Sequence, residues 1–165
     1  VHREENVDNP ENLKKTLVVL NQVAERYQLP VIVSTHPRTR KKLEQVKGYS
    51  QNPLIQFLKP FGFLDYNNLQ QNAKCVISDS GTISEESAIL GFPAISLRQS
   101  MERPEAQDAG SILLTGFDED IVLQSIELVI KHHQSPTMSH QIPKDYQIEN
   151  TSWRVVKLIV GLKKL

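Results

Sequence analysis

Short apolar runs alternate along the chain with stretches whose apolar residues recur every three or four positions. Leu13, Leu17, Leu20 and Ala24 share one helix face. Before them, Asp8-Asn9-Pro10-Glu11 supplies a capping side chain, a first-turn proline and an acid near the helix start. Pro30 ends that helix, and Val31-Ile32-Val33 reads as a β-branched strand running into Ser34-Thr35-His36. Residues 37–47 predict a basic helix with Gly48 at its end, and residues 54–58 a second strand. After the loop Pro60-Phe61-Gly62-Phe63, residues 66–73 predict a helix capped by Asp65. Residues 75–78 predict a strand, Asp79-Ser80-Gly81 a turn, and residues 82–90 a helix closed by Gly91. Residues 94–97 predict a strand, 98–109 a polar loop and 112–115 a last short strand. Residues 118–132 predict a helix with an acidic start and basic end, 133–150 an irregular stretch, and 151–165 a final helix anchored by Trp153.

Strands alternating with helices predict an α/β fold, a Rossmann-like parallel sheet with helices on both faces. The apolar runs are continuous rather than alternating, as buried parallel strands require. In such sheets ligands bind beyond the carboxyl ends of the strands. The polar clusters fall there: His36 after one strand, Asp79-Ser80-Gly81 after another, Arg98 to Glu105 after a third.

Composition narrows the function classes. The 165 residues suit one domain, with 39% hydrophobic and 23% charged residues. Lys+Arg and Asp+Glu are equal at 19, which gives no footprint for nucleic acid. Cys75 is the only cysteine, so an intramolecular disulfide and a cysteine-rich zinc site are excluded, and a reduced core thiol is expected. His132, His133 and His140 lack regular ligand spacing, so no metal is expected. No apolar stretch reaches membrane length and no signal peptide is visible, so the expected compartment is the cytoplasm. Val1 followed by His2-Arg3-Glu4-Glu5-Asn6 reads as a strand cut at its last position, which predicts a fragment of a longer chain.

The candidate chemistry centres on Asp79-Ser80-Gly81-Thr82. A small turn at a helix start exposes backbone N–H groups to a phosphate, and Ser80 and Thr82 add hydroxyls. The competing reading is ordinary capping, with Thr82 and Glu85 as a capping box. Glu86 one turn in is either a ribose acceptor or a solvated surface acid. His2 and Arg3 suit a diphosphate, although a polar loop is the commoner reading of an isolated cluster, and His36-Pro37-Arg38 repeats the arrangement and strengthens the anion reading. Pro104 holds Arg103 extended toward the crevice, unless neighbouring acids pair with it at the surface for about 0–1 kcal/mol. Tyr66 is either a base-stacking aromatic or a core residue.

Three segments taken together resemble the non-hydrolysing UDP-N-acetylglucosamine 2-epimerases: His2-Arg3-Glu4-Glu5-Asn6, Asp79-Ser80-Gly81-Thr82-Ile83-Ser84-Glu85-Glu86, and Glu102-Arg103-Pro104-Glu105-Ala106. The similarity runs through at least residues 1–116. It implies the second of two Rossmann-like domains in a glycosyltransferase-B arrangement, with helix 151–165 crossing back to the first. It also implies inversion of carbon 2 of a UDP-N-acetylhexosamine, by loss of UDP to a 2-acetamidoglucal and its re-addition, without metal or redox cofactor. A homodimer and a role in capsule or cell-surface polysaccharide precursors follow from the same resemblance.

By resemblance, His2 contacts the diphosphate and assists proton transfer. Ser80, Gly81 and Thr82 hold the phosphates, Glu86 the ribose, Tyr66 lies beside the uracil, and Arg103 reaches the nucleotide-sugar. Arg3 and His36 match positions that bind a second, regulatory UDP-sugar in some members, and most proton-handling carboxylates belong to the first domain. Two departures matter: Thr82 replaces the second glycine of the commonest turn, and Phe61 replaces a polar residue. Both are similar to the capsule and O-antigen branch, which includes epimerases acting on UDP-2-acetamido-2,6-dideoxy-L-talose. A UDP-sugar transferase of the same arrangement and a non-catalytic nucleotide-sugar sensor are the rival readings.

Overall fold

The computed structural model describes residues 4–46, 48–100, 103–136 and 142–162. A short helix α1 (Glu4–Val7) precedes the long helix α2 (Pro10–Tyr27). Asn9, not Asp8, is the cap. Its Oδ1 accepts the N–H of Glu11 at 3.0 Å and of Asn12 at 3.4 Å, and Pro10 opens the first turn. Asp8 instead pairs with Arg38 and Lys42. Helix α2 ends before Pro30, at Gln28, whose backbone turns left-handed (φ 50°) while its N–H reaches the Ala24 carbonyl.

Strand β1 (Val31–Ser34), helix α3 (Pro37–Leu43), strand β2 (Ile55–Leu58) and helix α4 (Phe63–Gln71) follow. Next come β3 (Val76–Ser78), α5 (Ile83–Leu90), β4 (Ala94–Ser96), α6 (Pro104–Asp108) and β5 (Leu113–Leu114). Helix α7 (Glu119–Gln134), a 3₁₀ turn at Lys144–Gln147 and helix α8 (Thr151–Leu162) complete the described chain.

All described strand pairs are parallel, as expected, but they form two sheets rather than one. Strand β1 pairs with β2, Val31 opposite Ile55, and β4 lies between β3 and β5, Ile95 opposite Ile77 and Leu113. Helices cover both faces of the three-stranded sheet. Ala94 packs with Ile83 of α5, Ala106 and Ile112 on one side. Ile95, its neighbour, packs with Val122, Ile126 and Ile130 of α7 on the other, as strand alternation dictates. Helix α2 ties the sheets together. Leu17, Leu20 and Ala24 pack on Ile55 of β2, while Val19 joins the α7 core.

Several boundaries move. Helix α3 stops at Leu43, short of the predicted residue 47. Helix α4 starts at Phe63 with Gly62 in the cap position, so Asp65 sits inside the first turn, where its charge favours the helix dipole without capping it. The predicted loop after β4 contains α6, because Pro104 is preset for a first turn and Glu105 follows it. The 3₁₀ turn lies in the stretch predicted to be irregular. Trp153 does not anchor the last helix: it is 64% exposed, and no residue of α8 is buried.

Cys75 is a free, partly buried thiol packed against the Ile95 core. Burial pushes its pKa from 9.0 up to about 12. Thiolate is the reactive form, so the native protein should resist iodoacetamide at pH 8 and be alkylated only on unfolding, as mass spectrometry would read. Between the two pKa values the unfolded chain loses the thiol proton first, so Cys75 lowers stability as pH rises above 9. Rapid native labelling at pH 8 would contradict this account.

Candidate functional site

Strand β3 ends at the buried Ser78, and the chain turns through Asp79 to Thr82 into α5. The turn is fastened from below. Ser78 Oγ accepts the Ser80 N–H at 3.1 Å. Asp79 is fully buried, and the Asn6 side chain, only 4% exposed, donates from Nδ2 to its Oδ2 at 3.1 Å. A hydrogen bond to a charged group contributes about 1.5–3 kcal/mol. This one also holds the segment around Asn6 against the turn.

The upper side of the turn has a different character. Thr82 stands in the cap position of α5 but makes no side-chain cap. The capping box with Glu85 is therefore absent. Thr82 Oγ1 instead donates to Glu86 Oε1 at 2.8 Å, and Glu85 pairs with Arg103. The first amides of α5 have no acceptor within the helix, since the first intrahelical bond runs from the Glu86 N–H to the Thr82 carbonyl. The start of α5 thus presents donors and the positive end of a helix dipole.

Proton bookkeeping orders the hydroxyls. Ser80 Oγ lies 2.9 Å from Thr82 Oγ1. Thr82 has one hydroxyl hydrogen, and the carboxylate can only accept, so Ser80 donates to Thr82. Ser80 Oγ also accepts the Thr82 N–H at 3.4 Å. The other Glu86 oxygen, Oε2, accepts from Gln70 Nε2 at 2.7 Å. Glu86 is therefore a fixed, partly buried acceptor rather than a freely solvated surface acid.

Tyr66 and Gln70 lie four residues apart on α4, hence on one helix face. Tyr66 is half-buried, and its pKa is raised by burial first and then by the carboxylates of Glu86 and Asp79. Its phenol thus lies within the field of both acids. Arg103 caps α6 by position only, and its guanidinium pairs with Glu85, joining α6 to α5. Tyr146 lies near this pair. Burial, then the carboxylates of Glu105 and Glu85, raise its pKa to about 12.

The structure therefore brings Tyr66, Ser80, Gly81, Thr82 and Glu86 together, with Arg103 joined to them through Glu85. His36 is elsewhere, exposed at the end of β1, where its Nδ1 accepts the Arg38 N–H at 3.3 Å and caps α3. Arg38 itself pairs with Asp8. His2 and Arg3 lie outside the described residues. Gln70, Tyr146 and the Asn6–Asp79 link were not singled out by sequence. The spacing of Gln70 four residues after Tyr66 was the available signal for the first.

An open cleft of about 850 Å³ lies beyond β5, lined by Arg98, Gln99, Thr115, Phe117, Asp118 and Lys15 among others. It shares with the turn after β3 the carboxyl end of the sheet, where ligands bind in open α/β folds. Among the described residues no cluster of three or more His, Cys, Asp or Glu suits a metal ion, and no helix is long and apolar enough to cross a membrane.

Comparison with known proteins places the chain in one family. The family model for UDP-N-acetylglucosamine 2-epimerase matches residues 1–160. A UDP-N-acetylglucosamine 2-epimerase of Methanococcus maripaludis is 37% identical over 170 residues, covering 99% of this chain and 44% of the relative. The structure of the Methanocaldococcus jannaschii UDP-GlcNAc 2-epimerase in complex with UDP-GlcNAc and UDP superposes with a TM-score of 0.80 at 31% identity, over 97% of this chain and 43% of that one. The Rickettsia bellii UDP-N-acetylglucosamine 2-epimerase structure gives a TM-score of 0.80 at 37% identity, over 92% of this chain and 41% of the other. The chain thus spans less than half the length of these relatives.

The buried link under the turn is directly testable. Asn6→Leu removes the donor and keeps the bulk, so it should lower unfolding free energy by about 1.5–3 kcal/mol in urea melts. A loss under about 0.5 kcal/mol, the size of an ordinary surface change, would contradict the role given to this bond.

Proposed function

Because the chain belongs to the UDP-N-acetylglucosamine 2-epimerase family, we propose that it is the UDP-binding half of an enzyme that inverts carbon 2 of a UDP-N-acetylhexosamine. The observation that carries this reading is the uncapped start of α5 with Glu86 fixed one turn inside it. In this reading the amides of α5, with Ser80, Gly81 and Thr82, take the diphosphate. Glu86 takes the ribose hydroxyls and Tyr66 flanks the uracil. Arg103, already paired with Glu85, turns its remaining guanidinium donors to the nucleotide-sugar. His2 contacts the diphosphate and assists proton transfer, while Arg3 and His36 serve a second, regulatory nucleotide-sugar.

The chemistry follows from where charge develops. Breaking the bond from sugar carbon 1 to the diphosphate oxygen places negative charge on UDP. Donors and a helix dipole aimed at that group are worth most in the transition state. The carbon-2 proton leaves from one face and returns to the other, which needs carboxylates from a second domain. One observation supports such a partner within the same protein. Helix α8 exposes Trp153, Leu158, Ile159 and Leu162, an apolar surface suited to crossing onto another domain. A cytoplasmic homodimer that supplies capsule or surface-polysaccharide precursors completes the proposal.

Thr82 supports a second reading of the sugar. Its side chain stands where the commonest turn of the family has a second glycine, and its hydroxyl donates to Glu86; by resemblance such a turn fits the branch acting on UDP-2-acetamido-2,6-dideoxy-L-talose.

The test incubates the full-length protein with each UDP-sugar in deuterated water. Deuterium at carbon 2 of the recovered UDP-sugar is the expected result. Transfer to an acceptor without exchange would support the transferase rival, and UDP binding with no product would support the sensor. The 165-residue chain alone should bind UDP weakly and turn nothing over. Robust epimerisation by it would contradict the division of labour.

A further inference from the structure

We infer that Gln70 is a positioning residue for ribose recognition, holding the Glu86 carboxylate in place together with Thr82. This rests on the reading of Glu86 as the ribose acceptor. Gln70 is only 3% exposed, on the face of α4 that also carries Tyr66. Its amide nitrogen lies 2.7 Å from Glu86 Oε2, and only the NH₂ end of the amide can face a carboxylate, so the orientation is fixed. The amide oxygen, Oε1, is then turned into the interior, where it meets no donor among the described residues.

That unmatched oxygen is informative. A buried acceptor without a partner is unfavourable, and an apolar side chain of the same size would pack there without the penalty. The polarity of Gln70 thus does nothing for its own surroundings and serves Glu86. Thr82 holds Oε1 of the same carboxylate at 2.8 Å from a different element. With one oxygen held from α4 and the other from the start of α5, the plane of the carboxylate is set. A carboxylate offers about four lone-pair sites, so two remain for a vicinal diol. A glutamate held this way has already lost the side-chain freedom that a loose one surrenders on binding.

The test compares the affinities of full-length wild type, Gln70→Met and Glu86→Gln for UDP and 2′-deoxy-UDP by calorimetry. Each variant's melting temperature is read in parallel. Gln70→Met should lower the preference for UDP over 2′-deoxy-UDP about tenfold, the size of one hydrogen bond to a charged group. Its melting temperature should change little, because the lost bond to Glu86 and the lost unmatched oxygen act on stability in opposite directions. Gln70→Leu should behave the same way and serves if the methionine variant folds poorly. A preference that collapses in Glu86→Gln yet is unchanged in both Gln70 variants overturns the inference while sparing the ribose reading. Equal weakening of both ligands overturns it in favour of a structural role. An unchanged preference in Glu86→Gln overturns the ribose reading itself, and the inference with it.

Discussion

One buried carboxylate organises the site. Asp79 sits at the carboxyl end of β3 with no solvent exposure, and burying a charge there requires donors around it. Asn6 is one such donor, reaching across 73 positions of sequence. The bond holds α1 against the turn that enters α5. Helix α2 then runs on to pack against both sheets, with Leu17 toward β2 and Val19 toward α7. The turn is therefore held from underneath by packing and a buried hydrogen bond, and its upper surface need not stabilise itself.

That division explains the character of the upper surface. The Thr82 side chain does not cap α5, and the first amides of the helix have no acceptor within it. Ser80, Thr82, Glu86 and Gln70 form one directional chain of hydrogen bonds that ends on a carboxylate held from both sides. A diphosphate wants amides and a dipole, while a ribose wants a fixed acceptor about one helical turn away. In the proposed reading both fall on the first turn of a single helix. Tyr66 of α4 lies in the field of Glu86, and Arg103, just before α6, pairs with the neighbouring Glu85. Relatives whose structures superpose over nearly the whole chain include one recorded with UDP-GlcNAc and UDP.

The α/β alternation, the strand positions and the turn after β3 were legible in sequence, because continuous apolar runs and helix periodicity are local signals. That turn was legible because Asp79-Ser80-Gly81 between a strand and a helix is a local pattern. Its partners were not. Glu85 sits three residues after Thr82, the right spacing for a capping box, but tertiary structure gave it Arg103 to pair with and gave Thr82 to Glu86. Asn6 could not be tied to Asp79 by any local rule. Trp153 failed as an anchor because aromatic content predicts burial only when a surface is present to bury against, and α8 meets none among the described residues. The expected single sheet became two for a related reason: strand runs can be read locally, whereas lateral pairing cannot.

The central claim is that the first turn of α5 is a diphosphate site with its ribose acceptor already in place. A crystal structure of the full-length protein with UDP tests it most directly. The account predicts the diphosphate on the amides that open α5, beside Ser80 and Gly81, with the ribose hydroxyls on Glu86 and the Gln70 and Thr82 bonds to that carboxylate unbroken. A nucleotide bound elsewhere, or a Glu86 side chain released from Gln70 and swung into a new position on binding, would contradict it.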